Sequence, residues 1–298
     1  MSLDTRQRAQ GAYLGLAVGD ALGATVEFMT PREIRALYGT HDKLIGGGWL
    51  RLRPGQVTDD TEMSLALGAS ILAEGGVRAQ AVAASFSDWM RGKPVDIGHT
   101  VRRGIAHFRR TGETLVPYDD YGAGNGACMR CLPIALATLG QGPDRVRQAT
   151  LAQAHITHHS RLSDAGTLLV VELIQVALLG ADLETLEHRV EHFCTQHPEF
   201  RSRPGKRTQN PGGFIVETLQ AVFEALFEHR EFTAALVDVV NRGGDADTTG
   251  AILGMIAGAH WGLGAIPQRW LRKLEPTTAE SCSQQALALL ELSRRNAA

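Results

Sequence analysis

Glycines spaced by four inside an apolar helical run constrain this fold more than any other feature. Residues 247–262 have helical periodicity, and within them Gly250, Gly254, Gly258 and Gly262 repeat at that spacing. Glycine in a helix interior costs about 1 kcal/mol relative to alanine. The spacing therefore points to a face where another backbone comes close. More glycines interrupt the stretch from Gly11 to Gly23, and 33 of the 298 residues are glycine, above the usual share of roughly 7%. A membrane dimer face would look similar, but no apolar run approaches the roughly 18 residues that span a bilayer. Close helix packing in a water-soluble core is the expectation.

Helical periodicity covers most of the rest. The pattern predicts helices over roughly 4–19, 31–38, 59–74, 78–91, 98–110, 124–139, 143–156, 161–179, 183–196, 212–228, 232–241, 247–262 and 277–295. The 161–179 segment is apolar almost all round through Leu168, Leu169, Val171, Leu173, Ile174, Ala177 and Leu178, so it is expected to be central. No series of alternating β-branched strands is visible. An all-α fold follows, in one domain spanning 1–298, since neither long loop resembles a domain linker. Those loops are 40–57, with Gly46-Gly47-Gly48, and 197–213, with Arg201, Arg203, Lys206 and Arg207. Beyond solvated connection, they offer a lid over a site and a contact for a partner.

A net charge of −2 gives no electrostatic case for nucleic acid as a partner. The start, Met1 to Arg8, lacks the basic-then-apolar layout of a secretion leader, and four cysteines make no disulfide framework. A cytoplasmic location is expected.

Two acid clusters share a grammar. Thr58-Asp59-Asp60-Thr61-Glu62 runs into an apolar helix, and so does Gly244-Asp245-Ala246-Asp247-Thr248-Thr249. One such cluster is ordinary capping. Two, with more acids than caps can use, point to cations, because aspartates gathered in one place repel unless cations lie between them. Hard oxygen ligands suit Mg²⁺ or Mn²⁺ rather than zinc. Adjacent Asp59 and Asp60 diverge, so both reach one metal pair only off the helix end. Asp245 and Asp247, two apart in a tight turn, can face the same side. With Glu27 the set carries five negative charges, of which two divalent ions would offset four.

Other motifs carry less. His188-Arg189-Val190-Glu191-His192 fits a zinc-peptidase pattern, but both histidines fall opposite the stripe Leu183, Leu186, Val190 and Phe193. Cys128 and Cys131 have redox spacing without a second pair or a βαβ context, which leaves semi-buried thiols. The glycines from Gly122 to Gly126 follow no strand, against a dinucleotide fold.

The order of the blocks resembles the ADP-ribosylglycohydrolase family. They are Gly19-Asp20-Ala21-Leu22-Gly23 with Glu27, Thr58-Asp59-Asp60-Thr61, Gly124-Asn125-Gly126 with Met129-Arg130, Thr157-His158, and Gly244-Asp245-Ala246-Asp247-Thr248. They run in order from about residue 11 to 262. The resemblance implies an all-helical orthogonal bundle and a dinuclear Mn²⁺ or Mg²⁺ centre held by Thr58, Asp59, Asp60, Asp245, Asp247 and Thr248. Glu27 would lie at or beside the metals. Gly122, Gly124, Asn125 and Gly126 would cradle phosphate or ribose, and His158 would line the ADP-ribose pocket.

Asp96 stands where the family's arginine-specific glycohydrolases have a catalytic aspartate; taken alone it would read as a helix cap. Its role would be base toward water or opening of the ribose ring through a 2-hydroxyl. The branch this chain resembles acts on ADP-ribosylated dinitrogenase reductase. It implies a PII-type signalling protein and an ammonium transporter that hold the enzyme reversibly at the membrane. Two departures bear on substrate contacts: no serine stands among the glycines of 122–126, and no proline near His158. A phosphohydrolase of ADP-ribose-like molecules and a non-catalytic scaffold are the competing readings.

Overall fold

In a computed structural model, residues 4–202 and 205–297 are described; Arg203 of the basic loop and Met1 to Leu3 lie outside them. Fourteen α-helices and two short 3-10 turns account for the regular structure among these residues. The first seven are α1 (Thr5–Gly23), α2 (Pro31–Tyr38), α3 (Asp59–Glu74), α4 (Ala79–Arg91), α5 (His99–Thr111), α6 (Leu132–Ala137) and α7 (Pro143–Ala154). Then come α8 (Arg161–Leu178), α9 (Leu183–Gln196), α10 (Ile215–Glu228), α11 (Phe232–Val240), α12 (Ala246–Trp261), α13 (Gln268–Leu271) and α14 (Pro276–Ala297). No strand forms among the described residues. Two isolated bridges, Gly47 with Leu52 and Gly124 with Phe214, are the only β pairings there.

The glycine spacing acts as expected, and its partner is α1. Alanine-like Cβ atoms at Gly11, Gly15, Gly19 and Gly23 would lie 2.4, 2.2, 2.0 and 2.1 Å from the carbonyl oxygens of Gly258, Gly254, Gly250 and Ala246. As numbers rise in one helix they fall in the other, so the pair is antiparallel, with backbones touching over about three turns. This contact delivers the C-terminal end of α1, and Glu27 just beyond it, to the N-terminal end of α12. The acids are brought together by the glycines.

Helix α12 is buried from Ala246 to Ala259 and is the centre of the bundle. Helix α8 buries Leu169, Val170, Val171, Leu173, Ile174, Ala177 and Leu178 against α12, α6, α7 and α10, in keeping with its apolar circumference.

One predicted helix fails for a visible reason. Only 132–137 of the segment 124–139 is helical; 126–130 forms turns in which Cys128 and Met129 both donate backbone N–H to the Asn125 carbonyl. Gly124 pairs with Phe214, and the Asn125 N–H donates to Gly213. The same pairing keeps Gly212 and Gly213 out of α10, which starts at Ile215 rather than 212. Cys128 and Cys131 are wholly buried free thiols, more enclosed than their spacing indicated. His188 and His192 are exposed, as the helical wheel requires.

Candidate active site

The residues at the starts of α3 and α12 do not serve as caps. Thr58 and Asp245 hold the two N-cap positions, yet neither side chain caps a backbone N–H of its own helix. Thr58 Oγ1 donates instead to Asp20 at 2.9 Å, and Asp245 Oδ2 accepts from the Asn125 amide at 2.6 Å. Capping groups diverted from caps need another use.

Asp20 is the brace of the site; its motif is visible in the sequence, but its role is not. Wholly buried in α1, its carboxylate accepts from the backbone N–H and hydroxyl of both Thr58 and Thr61, at 2.6 to 3.1 Å. It ties the start of α3 to α1, while the glycine contact ties α1 to α12. The two acid clusters consequently meet: Thr248 Oγ1 lies 3.4 Å from Asp60 Oδ2. Carboxylate oxygens of Glu27, Asp245 and Asp247 lie within 4.8 Å of one another. Asp59 turns the other way, toward the loop before α5, and accepts from the Gly98 N–H at 3.2 Å. Asp59 and Asp60 thus diverge as expected, Asp59 toward the loop before α5 and Asp60 toward Thr248.

Asp96 sits on that loop, half-buried. It is not the cap of α5, whose N-cap is Gly98; its Oδ1 accepts from the adjacent Ile97 N–H at 2.7 Å. With Asp59, Glu27, Asp245, Asp247 and Thr248 it lines a cavity of about 420 Å³. Gly124, Asn125, Gly126 and His158 line the same cavity. Gly122 does not; it borders an adjoining cavity of about 510 Å³ with Arg103, Arg110 and Tyr118.

The histidine side of the cavity is braced by buried contacts. Arg130, fully buried, donates to Thr157 Oγ1 at 2.7 Å and stacks its guanidinium over Phe86. Thr157 Oγ1 lies 2.8 Å from His158 Nδ1. Burial first, then the charges of Arg130 and Arg103, push His158 down to about 3, so it is neutral. The threonine hydroxyl and Nδ1 share one hydrogen bond, which fixes the ring's orientation and leaves Nε2 toward the glycine loop. A Cβ on Gly124 or Gly126 would lie 2.9 or 2.8 Å from this ring, which explains glycine at both places.

The acids are chemically stressed. Burial is the first cause and neighbouring carboxylates the second. Together they push Glu27 and Asp59 up to about 8, and Asp60 and Asp247 well above the usual carboxylate range. Asp20, stabilised by its four threonine donors, rises only to about 6. Asp60 Oδ1 is buried without any hydrogen-bond partner. A site that crowds this many oxygens and leaves one unsatisfied fits hard divalent cations.

Glu27 and Asp59 have unfolded values near 4, so near pH 7 the folded chain holds protons that the unfolded chain has released. In chelator, stability should fall as pH rises from about 7 to about 8.5, a window above the titration of unfolded histidines. Mn²⁺ should remove that slope. A metal-free melting temperature that is flat or rising over this window would count against the crowding.

An all-α bundle closing on an oxygen-lined acidic pocket, with a half-buried carboxylate across from a glycine loop, defines a class: helical hydrolases with a hard-cation site. A sequence model of the ADP-ribosylglycohydrolase family matches residues 1–298, and the chain belongs to that family, whose members are enzymes that hydrolyse ADP-ribose conjugates at glycosyl bonds.

The chain is 48% identical over 285 residues to the ADP-ribosyl-[dinitrogen reductase] glycohydrolase of Rhodospirillum rubrum, covering 96% of each. It is 31% identical to the ADP-ribosylarginine hydrolase Tri1 of Pseudomonas putida, over 90% of this chain and 74% of that one. Among solved structures, a chain of an ADP-ribosylglycohydrolase-related protein complex superposes with a TM-score of 0.85. It shares 36% identity and covers 97% of this chain and 99% of that one.

Proposed function

We propose that this enzyme hydrolyses the N-glycosidic bond between ADP-ribose and an arginine side chain of a modified protein. The observation that carries the reading is Asp96: half-buried, freed from capping, and set in one cavity with Asp59, Asp245, Asp247, Thr248 and the Gly124-Asn125-Gly126 loop. Residues 1–298 act as one catalytic domain in this reading.

Thr58, Asp59, Asp60, Asp245, Asp247 and Thr248 would hold two divalent cations, Mn²⁺ or Mg²⁺, with Glu27 beside them. Bound there, the cations supply charge neutralisation and orient ribose hydroxyls and water. The chain's own residues do the rest. Gly124, Asn125 and Gly126 offer backbone and amide groups to the phosphates or ribose, and His158 presents its neutral ring on the same wall.

Cleavage breaks the bond from the anomeric carbon to the guanidine nitrogen, and positive charge builds on that carbon. Asp96 takes a proton from the attacking water as the new carbon–oxygen bond forms, and then returns it to the departing guanidine. Burial, with Asp245 adding to it, raises the Asp96 carboxyl above its ordinary value, which favours a group that both accepts and returns a proton.

The relationship to the Rhodospirillum rubrum enzyme favours dinitrogenase reductase as the modified protein, restored to activity by the cleavage. A PII-type signalling protein, and through it an ammonium transporter, would then be the partners that hold a cytoplasmic enzyme at the membrane. No helix among the described residues is long and apolar enough to cross a membrane by itself.

The test is release of ADP-ribose from an arginine-modified peptide, run beside free nucleotides and with and without Mn²⁺. Mn²⁺-dependent release from the peptide alone is expected. Asp245→Ala should lose metal and activity together. Cleavage of nucleotides but not of the peptide would overturn the reading.

A further inference from the structure

Two large aromatic side chains stand exposed at the rim of the acid pocket, and neither is accounted for by the core. Phe28 is 66% exposed and Trp49 54%, their ring centroids are 5.5 Å apart, and both line the cavity that holds Asp59 and Asp96. Leaving this much aromatic surface in water forgoes the burial that normally stabilises such residues.

Two independent features hold the pair in place. Phe28 has a φ of 61°, a left-handed conformation that is an outlier for a bulky side chain. It is fixed by Phe28 N–H donating to the Gly244 carbonyl at 2.7 Å, in the turn that carries Asp245. Strain of this kind persists where the surroundings enforce it, and it gathers at ligand clamps. Trp49 comes from the 40–57 loop, and its indole N–H donates to Glu27 Oε2 at 2.6 Å. The tip of the indole is thereby pinned to the acid set while the ring remains open to the cavity.

We propose that Phe28 and Trp49 form the seat for the guanidinium of the substrate arginine, which makes them specificity-determining residues for the leaving-group side. This rests on the arginine reading above. A planar guanidinium stacks on aromatic faces and is attracted by their quadrupole, and flanking carboxylates favour its charge. The pair adjoins Glu27, whereas the ADP-ribose side of the cavity is the Gly124-Asn125-Gly126 loop, attached to Asp245 through Asn125. A neutral or anionic leaving group would gain nothing from this seat.

The experiment uses the Mn²⁺-loaded full chain and an arginine-ADP-ribosylated peptide. Trp49→Leu should lower kcat/KM about tenfold, within the range of a partly desolvated cation–π contact. Trp49→Phe, which keeps a ring but loses the indole N–H, should stay within about threefold of wild type. Phe28→Gly should lower kcat/KM while leaving the melting temperature unchanged or raised, because glycine accepts the positive φ. Affinity for ADP-ribose itself, by calorimetry, should be unchanged in all three.

If Trp49→Phe falls as far as Trp49→Leu, the indole bond to Glu27 rather than the ring matters, and the proposal is overturned. Equal weakening of ADP-ribose binding would place the pair on the wrong side of the bond and overturn it too. Unaltered kcat/KM in both Trp49→Leu and Phe28→Gly, with an active wild type, ends this inference alone. A wild type that does not release ADP-ribose from the peptide ends the arginine reading, and this inference with it.

Discussion

Asp96→Asn should leave a folded, metal-competent protein whose turnover on ADP-ribosylarginine has dropped by at least about 10²-fold, the usual scale for losing general acid–base catalysis. The structural reason for intact folding is local. Asp96 caps no helix, and the one hydrogen bond its side chain makes, from the Ile97 N–H, can be accepted equally by an amide oxygen. The chemical reason for lost turnover is that an amide takes no proton at neutral pH. Asn125 and the rest of the glycine loop remain, so substrate should still bind and accumulate as a trapped complex. Single-turnover release of ADP-ribose by the metal-loaded variant is the measurement. Near wild-type release would remove Asp96 from the proton transfer and move that role to Glu27.

The largest stability effect is expected far from any charge, at Gly19→Ala. Its Cβ would lie 2.0 Å from the Gly250 carbonyl oxygen and 2.4 Å from the carbonyl carbon, both backbone atoms that no rotamer change can move. Helices α1 and α12 would have to separate, at a cost of about 3 kcal/mol, the upper end for overpacking. Function should suffer as well, because Asp20 is the next residue and braces Thr58 and Thr61, while Asp247 lies in the first turn of α12. Metal affinity should therefore weaken along with stability. Gly76→Ala is the control: nothing lies within 4 Å of a Cβ there and its φ is not positive, so urea denaturation should show about 0.5 kcal/mol of change or less. A Gly19→Ala protein as stable as wild type would refute backbone contact between the two helices.

The helices and the inventory of the site were legible in the chain before any folding was considered. Periodicity and end signals are local, and a helix such as α2, with Thr30 and Glu33 forming a reciprocal capping box, is specified by neighbours within one turn. The doubled acid–hydroxyl pattern was legible for the same reason: a surplus of acids over caps is visible without knowing where the chain goes. The fourfold glycines even announced that a backbone would approach.

Which backbone would approach was decided in three dimensions. Gly11, Gly15, Gly19 and Gly23 of α1 meet Gly258, Gly254, Gly250 and Ala246 of α12 because two shallow helix faces fit each other. No local rule pairs segments so distant in the chain. Residues 126–130 show the opposite case, where helical periodicity lost to a tertiary demand. Backbone pairing of Gly124 and Asn125 with Gly213 and Phe214 holds the loop open beside His158.

The roles of Asp20, Phe28 and Trp49 were likewise out of reach of the sequence. An aspartate inside a glycine-rich helix gives no local sign that it will accept four hydrogen bonds from another helix start, and an exposed tryptophan in a loop gives none that its indole will reach Glu27. Local chemistry chose the side chains that can bind cations and move protons. Their assembly into one cavity depended on non-local contacts between backbones, whose energy exists only once the chain has closed on itself.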